Sequence, residues 1–332
     1  MSGRGEFLQG LGALTTVATG GLDVWEPGTP QIRVLVAADA GSTPPTVFAD
    51  GTFAFGGRRW RGAPSTVATA DGRLALVTTI DVDAYLAGVV PLEVPSAWPP
   101  GALQAQAIVA RTYALGRRSL SRPYDVRADD GDQRWGGVEA ETDAAGAAVL
   151  ATRRRTLTYA GGLAAVFYSS CCGGHTADSV ATWGGSPFPY LRGVDDPHCV
   201  HAPDYRWQRA IALERVLAAF GARTGGSLVA AALGEGDSQG RPRSVILTGA
   251  ATAAVSVAEF RRALGTDVVR SLWLRAIRVD ATQAGARLLI EGSGRGHGVG
   301  LCQWGSQFFA SAGASAAEIL AFYFPGTSVS GG

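Results

Sequence analysis

The sequence predicts an α+β fold in which mixed sheets pack against helices, and three patterns support this class. Residues 31–79 contain short runs rich in β-branched and aromatic residues, separated by Gly, Pro and Asp-Gly turns. Residues 81–115 carry apolar residues at helical spacing. Residues 208–285 alternate between strand and helix patterns. With 332 residues, of which 46% are hydrophobic and 17% charged, the chain can bury a sizeable core.

The first strands are expected to form a small N-terminal β-meander that leads into a pair of helices. Asp83 is a candidate N-cap for the first helix, and Pro91 is expected to end it. Prolines recur before a second helix that should begin near Gly101. Glu93 would therefore lie on a rigid connector between two packed helices, as a positioned catalytic carboxylate requires. A solvated glutamate in a proline-rich turn is the alternative interpretation.

Further elements are expected along the rest of the chain. A helix is predicted over 139–152, followed by a strand pair that turns at Gly161 and Gly162. The second strand of that pair leads directly into the sequence CCGGHTADSV. Residues 207–285 are predicted to form an α+β scaffold subdomain.

Charge and hydropathy exclude several classes of protein. The formal net charge of +1 gives no electrostatic reason to expect a nucleic-acid partner. No run of 18 or more apolar residues occurs, so no membrane span is expected. Residues 1–29 form a predicted N-terminal extension with one early arginine, and Gly5 stands where a twin-arginine export signal would have its second. A degenerate export signal and a soluble N-terminus both remain open.

Cysteine and histidine residues are concentrated in two parts of the chain, and three interpretations are open. The eight residues are Cys171, Cys172, His175, His198, Cys199, His201, His297 and Cys302. Cys172, His175, Cys199 and His201 (or His198) could hold a structural zinc ion, which prefers sulfur and nitrogen ligands. Alternatively, Cys199 could form a disulfide with Cys172 or Cys171, as suits an exported protein. The third interpretation is free packing thiols, which is also the expectation for a buried Cys302.

Ordered sequence blocks over roughly residues 70–328 resemble the SpoIID/LytB family. The blocks are DVDAYLAGVVPLEVPSAWPPGALQAQAIVARTYAL, DQRWGG, TLTYAGGLAAVFYSSCCGGHTADSVATWGG, YLRGVDDP, EFRRALG and GRGHGVGLCQWGSQFFA, the last followed by FYFPGT. The resemblance implies one SpoIID-like domain over 30–328. It also implies a peptidoglycan lytic transglycosylase, with peptidoglycan glycan strands as substrate and an exported or envelope-associated location. The alternative is a non-catalytic modifier of a cell-wall amidase, which would then be a partner.

The resemblance also implies roles for particular residues. Glu93 lies at the position of the family's active-site glutamate, in the sequence Glu93-Val94-Pro95. The implied substrate-binding residues are Gln106, Arg111, Gln133, Gly173, Gly174, Thr176, His297 and Gln303. For the polar side chains among them, a buried structural hydrogen bond is the alternative, above all for Arg111.

A single strong carboxylate fits this chemistry. Ordinary glycosidases use two carboxyl groups, one of which protonates the leaving oxygen. A lytic transglycosylase can use one, because the C6 hydroxyl of the muramic sugar attacks and leaves a 1,6-anhydro end. Glu93 would then donate one proton and accept another, and no cofactor would be required.

Overall fold

The computed structural model describes residues 16–18, 29–41, 44–282 and 285–331. Its helices and small sheets confirm the α+β class. The chain divides into an N-terminal unit, residues 1–166 with 328–332, and a C-terminal unit, residues 167–327. Most of the predicted N-terminal extension over 1–29 lies outside the described residues. Within the described part of the chain, none of the helices is both long and apolar enough to cross a membrane.

The first strands of the N-terminal unit divide between two sheets. They are β1 (Thr16–Ala18), β2 (Gln31–Ala37), β3 (Thr46–Val47), β4 (Thr52–Phe55), β5 (Arg58–Arg61), β6 (Ala63–Ala68), β7 (Leu74–Asp81) and β8 (Val126–Arg127). One sheet has the order β1-β6-β7-β2-β8, and the other is a meander of β3, β4 and β5. The expected single meander is therefore two sheets. The chain passes from one sheet to the other at Gly62, whose φ of 97° favours glycine.

Three α-helices and a second small sheet complete the N-terminal unit. The helices are α1 (Val82–Glu93), α2 (Pro100–Gly116) and α3 (Asp143–Ala151), with a 3₁₀ turn at Val138–Ala140 before α3. Strands β9 (Thr156–Tyr159) and β10 (Gly162–Leu163) pair as a hairpin, and Ser328–Ser330, the last strand of the chain, pairs with β9. Tyr85, Leu86 and Val89 of α1 and Leu103 of α2 are buried in the same core as Phe53 of β4.

Helix α1 differs from the prediction at both ends. Its N-cap is Asp81, whose side chain accepts hydrogen bonds from the N–H groups of Asp83 and Ala84. Asp83 is therefore inside the helix. At the other end the helix continues through Pro91 to Glu93. A proline removes one helical hydrogen bond, but the Val94 N–H still donates to the Val90 carbonyl, so the last turn closes.

The C-terminal unit contains three sheets, five α-helices and the 3₁₀ helix His198–His201 among its described residues. The strands are β11 (Tyr168–Ser169), β12 (Trp207–Ala212), β13 (Ala230–Leu233), β14 (Ser244–Thr248), β15 (Thr252–Ser256), β16 (Trp273–Thr282), β17 (Gly285–Ser293) and β18 (Leu301–Cys302). The helices are α4 (Ser179–Trp183), α5 (Leu213–Thr224), α6 (Val257–Leu264), α7 (Gln303–Ser311) and α8 (Ala316–Tyr323). Two sheets are antiparallel, with orders β12-β17-β16 and β13-β14-β15, whereas β11 and β18 pair in parallel.

The predicted scaffold over 207–285 lies inside the C-terminal unit. Its core includes Phe220 of α5, Phe260 of α6 and Leu247 of β14. Leu288 and Ile290 of β17 belong to the same core, which therefore extends beyond residue 285. The rings of Phe220 and Phe260 stack with their centroids 5.7 Å apart, which fixes α5 against α6.

Candidate functional site

Glu93 is the last residue of α1 and is partly buried. It lies where the helix changes to extended backbone, since the next residue, Val94, has φ −140° and ψ 145°. Val94 is buried, and its N–H is bonded to the Val90 carbonyl at 3.1 Å. These contacts hold the backbone of Glu93 in place at the end of a buried helix.

Tyr85, on the same helix, lies close to three polar residues. It is fully buried, and its hydroxyl donates to Gln133 Oε1 at 3.5 Å. Gln133 in turn donates to the Ala110 carbonyl on α2 at 3.4 Å. Burial, then the negative charges of Asp132 and Glu93, hold the pKa of the Tyr85 phenol well above its ordinary value. The phenol is therefore a neutral group near both carboxylates.

Asp132 is a polar residue that sequence reasoning missed. Its carboxylate accepts a hydrogen bond from the Tyr113 hydroxyl at 2.8 Å and forms an ion pair with Arg117 at 3.2 Å. Burial and the charge of Asp132 raise the pKa of Tyr113 to about 12. The sequence block DQRWGG directed attention to Gln133, and the acid just before it was the available signal.

Arg111 and Gln106 are buried in α2, each only 1% exposed. Arg111 binds the carboxylate of Asp83, with Nε and Nη2 each 2.7 Å from Oδ1. Its remaining N–H groups donate to Thr152 Oγ1 and to the carbonyls of Val149 and Arg155. This arrangement favours the structural role for Arg111, since the guanidinium holds α1, α2 and the end of α3 together.

The glycine turn after β11 belongs to the C-terminal unit. Gly173 and Gly174 have φ of 82° and 109°, and a Cβ on Gly173 would lie 2.7 Å from that of Ser293. Thr176 is buried, and it exchanges two hydrogen bonds with Val194, through its N–H at 2.9 Å and its Oγ1 at 2.8 Å. Glycine is required in this turn because both the backbone conformation and the space exclude a side chain.

His297 lines a polar cleft of about 570 Å³ in the C-terminal unit. Its Nδ1 accepts the Val299 N–H at 3.0 Å, and its ring packs on Trp183 at 4.9 Å. Asp178 and Arg241 also line the cleft. Gln303, the first residue of α7, is 6% exposed. His297 is therefore better placed than Gln303 to meet a ligand.

Four buried residues of the C-terminal unit bring potential metal ligands together. The sulfurs of Cys172, Cys199 and Cys302 and a carboxylate oxygen of Asp196 all lie within 4.8 Å of one another. The parallel pairing of β11 with β18 explains the approach, because it sets Ser169 opposite Cys302 and so brings Cys302 to the segment that carries Cys172. Cys302 is buried, as expected, but it lies in this cluster.

The histidines of the predicted zinc set make other contacts in this structure, and that ligand set stays a prediction. His175 Nδ1 lies 2.5 Å from the Thr176 carbonyl, and its Nε2 faces the exposed Asp195 at 3.7 Å. His201 is exposed and packs edge-on against Phe308. The neighbouring His198 stacks on Phe309, with ring centroids 4.0 Å apart.

All four cysteines are buried free thiols in this structure. The sulfurs of Cys172 and Cys199 are 3.5 Å apart, whereas a disulfide bond is about 2.05 Å long. Hydrogen bonds from Cys171, Cys172 and Cys302 lower the pKa of the Cys199 thiol. Burial, followed by the hydrogen bond with Cys199, raises the pKa of the Cys172 thiol. The predicted disulfide between Cys172 and Cys199 stays a prediction.

Comparison with known proteins assigns the chain to a family. Residues 70–159 match the family described as SpoIID, Stage II sporulation protein. An uncharacterized protein of Brachyspira hyodysenteriae is 31% identical over 263 residues, which cover 77% of this chain and 68% of that protein. Stage II sporulation protein D of Bacillus subtilis is 26% identical over 76% of each chain. The amidase enhancer of Bacillus subtilis is 28% identical over 74% of this chain but only 40% of its own length. The chain therefore belongs to the SpoIID family.

Proposed function

We propose that this protein is a peptidoglycan lytic transglycosylase that uses Glu93 as its general acid and base. It would cleave the β-1,4 bond between MurNAc and GlcNAc and leave a 1,6-anhydroMurNAc end. Membership of the SpoIID family supports a cell-wall role. The observation that carries the proposal is the placement of Glu93, a partly buried carboxyl group at the end of a helix fixed in the core.

The position at the end of α1 favours the protonated form that a general acid needs. The C-terminal end of a helix carries the negative pole of its dipole, which disfavours a second negative charge there. Helix α1 itself, Val82–Glu93, contains no basic residue that would offset this pole. Asp132, by contrast, accepts a hydrogen bond from Tyr113 and pairs with Arg117, so its oxygens are already engaged within the N-terminal unit.

The reaction needs two proton transfers at one carboxyl group. Glu93 gives its proton to the glycosidic oxygen as the bond to the anomeric carbon breaks. The resulting carboxylate then takes the proton of the C6 hydroxyl, whose oxygen attacks the anomeric carbon and closes the anhydro ring. Atoms and charge balance without a second catalytic carboxylate, and Glu93 is regenerated as the acid.

The predicted substrate contacts differ in how accessible they are. His297 is partly exposed and lines a cleft, so it remains our candidate for hydrogen bonding to glycan hydroxyl or acetamido groups. Gln106, Gln133 and Thr176 are at most 2% exposed, which favours a bracing role for them. Gly173 and Gly174 would serve by shaping the turn rather than by offering a side chain.

The test is release of anhydro-ended products from purified cell walls by Glu93→Gln. Removal of a general acid typically costs about 10²–10⁴-fold in rate, so release should fall by at least about 100-fold. Mass spectrometry of soluble fragments measures it, on walls with and without their stem peptides. Glu214→Gln is the matched control, because it makes the same change at an exposed position of α5. Undiminished release by Glu93→Gln would remove Glu93 from the mechanism.

The second candidate function is enhancement of a cell-wall amidase. It is favoured by the likeness to the Bacillus subtilis amidase enhancer, which extends over 74% of this chain. A modifier would produce no anhydro ends alone but would stimulate an added N-acetylmuramoyl-L-alanine amidase on the same walls. In that case Glu93→Gln would stimulate the amidase as well as the wild-type protein does. Either function requires a location in the cell envelope.

A further inference from the structure

We propose that Cys172, Asp196, Cys199 and Cys302 form a structural zinc site in the C-terminal unit. Their four ligand atoms lie within 4.8 Å of one another, and the Cys172 sulfur lies 3.1 Å from Asp196 Oδ2 and 3.5 Å from Cys199 Sγ. A tetrahedral zinc ion with Zn–S bonds of about 2.3 Å separates its sulfurs by about 3.8 Å. The cluster therefore needs only small shifts to enclose the ion.

The carboxylate of Asp196 gives the strongest reason to expect a cation. Asp196 is 1% exposed, and among the described residues it takes part in none of the ion pairs. Its oxygens accept hydrogen bonds from the His198 N–H at 3.0 Å and the Tyr323 hydroxyl at 2.9 Å. A buried carboxylate without a cationic partner is costly, and a divalent ion supplies the missing charge.

Cys302 accepts backbone hydrogen bonds of the kind that a metal-bound sulfur ligand would accept. Its sulfur accepts backbone N–H groups from Cys172 at 3.2 Å and from Gly305 at 3.3 Å. It is also the N-cap of the nine-residue helix α7, where the positive pole of the helix dipole stabilises negative charge. Donors of this kind orient a first-shell ligand and stabilise its charge.

The ligands come from three separate segments of the C-terminal unit. Cys172 follows β11, and Cys302 ends β18 and caps α7. Asp196 lies in the turn before the 3₁₀ helix His198–His201, and Cys199 lies within that helix. One zinc ion would therefore link segments that are up to 130 residues apart in sequence. When Zn²⁺ binds, the thiol protons of the three cysteines leave to solvent and the metal–sulfur bonds replace them.

Metal and thiol analysis of the wild-type protein is the first test. Protein purified without chelator should contain about one zinc per chain, and after denaturation in chelator it should show all four cysteines as thiols. Cobalt(II) added to the metal-free protein should give a thiolate charge-transfer band that saturates at one equivalent. Two thiols with no zinc would overturn the proposal in favour of a disulfide. Four thiols with neither zinc nor a cobalt band would overturn it in favour of free thiols.

Matched variants then test the ligand set. Asp196→Asn should weaken zinc binding by more than the roughly 10–100-fold typical of losing an outer-shell partner, while leaving the thiol count unchanged. Asp195→Asn is the control, because this neighbouring carboxylate is 95% exposed and should bind zinc as wild type. Equal zinc affinity in the two variants would remove Asp196 from the site.

Two further variants keep the proposal testable if Asp196→Asn does not fold. Tyr323→Phe removes only the hydrogen bond to Asp196 and should weaken zinc binding by about 10–100-fold. Cys171→Ser should retain one zinc per chain, whereas Cys302→Ser should lose it. This ligand set would be contradicted if Tyr323→Phe bound zinc as tightly as the wild type. It would also be contradicted if Cys171→Ser and Cys302→Ser lost zinc to the same extent.

Discussion

Replacement of Arg111 by methionine tests whether this residue braces the N-terminal unit. The side chain is 1% exposed, and its guanidinium forms an ion pair with Asp83 at 2.7 Å. Methionine has similar length, so the substitution removes the charge and the donors without leaving a large cavity. It leaves the Asp83 carboxylate buried, with Arg153 at 3.7 Å as its nearest remaining cation in the described ion pairs.

The expected cost follows from the loss of a buried partner. Breaking a buried ion pair by removing one side typically costs about 3–5 kcal/mol, which is a large part of a domain's stability of about 5–15 kcal/mol. For a unit of this size the melting temperature should fall by roughly 6–20 °C. The double variant Asp83→Leu/Arg111→Met removes both charges and should recover at least about 2 kcal/mol relative to the sum of the single variants.

The pH dependence of the stability of Arg111→Met provides an independent test of the bracing role. Burial raises the pKa of Asp83 above 3.8 in the folded protein, and the Arg111 charge opposes this effect. Without Arg111 the folded-state pKa rises further, so the folded state gains stability at low pH and loses it as pH rises through that pKa. The loss in free energy of unfolding caused by Arg111→Met should therefore be larger at about pH 8 than at about pH 5.

Urea unfolding measures the free energies and thermal unfolding the melting temperatures, both followed by tryptophan fluorescence, since Trp60 and Trp135 are buried in the N-terminal unit. The measurement covers wild type, both single variants and the double variant at each pH. A change in melting temperature below about 2 °C, together with lost release of glycan fragments, would refute the bracing role and favour direct substrate contact. If the stability loss of the double variant equalled the sum of the losses of the two single variants, the coupling between Arg111 and Asp83 would be refuted.

Two further changes test other parts of the fold. Burial would raise the pKa of Asp125, but hydrogen bonds from Arg33 outweigh it and hold that pKa below 3.8. The ionised Asp125 therefore stabilises the folded protein above pH 3.8, and this stabilisation is lost as the pH falls through the lowered pKa. In urea titrations Asp125→Asn should destabilise the protein at about pH 6 and much less at about pH 3. Gly173→Ala would place its Cβ 2.7 Å from that of Ser293 at a φ of 82°, and it should cost about 1–3 kcal/mol. Gly185→Ala has a similar φ of 84° with no atom within 4 Å, so a cost equal to that of Gly173→Ala would rule out the steric contribution.

The sequence predicted the elements of this fold better than their ends or their pairing. The helix predicted over 139–152 is present as α3 at Asp143–Ala151, after a 3₁₀ turn at Val138–Ala140. Helix α1 extends two residues past its predicted stop at Pro91, because a proline in a last turn leaves the later hydrogen bond intact. Asp81 rather than Asp83 caps it, and either acid would satisfy the pattern. In the structure the Asp81 side chain accepts the capping hydrogen bonds, whereas Asp83 pairs with Arg111.

The cluster of Cys172, Asp196, Cys199 and Cys302 shows where sequence reasoning reached its limit. Spacing suggested ligands close in sequence to Cys172 and Cys199, and so it selected His175 and His201. Cys302 joins the cluster through the parallel pairing of two-residue strands, a contact that nothing in the local sequence encodes. Asp196 was passed over because a carboxylate becomes a strong candidate ligand only when its burial is known.

Burial also changes what the family resemblance implies for the polar residues of α2. Gln106 and Arg111 are each 1% exposed, so they could contact a glycan only if α2 opened. Arg111 instead fixes α1 through Asp83, and Glu93 is the last residue of that same helix. We infer that such residues would act on the proposed reaction through the position of Glu93. Their variants should therefore lose activity in proportion to lost stability, whereas Glu93→Gln should lose activity with the fold intact.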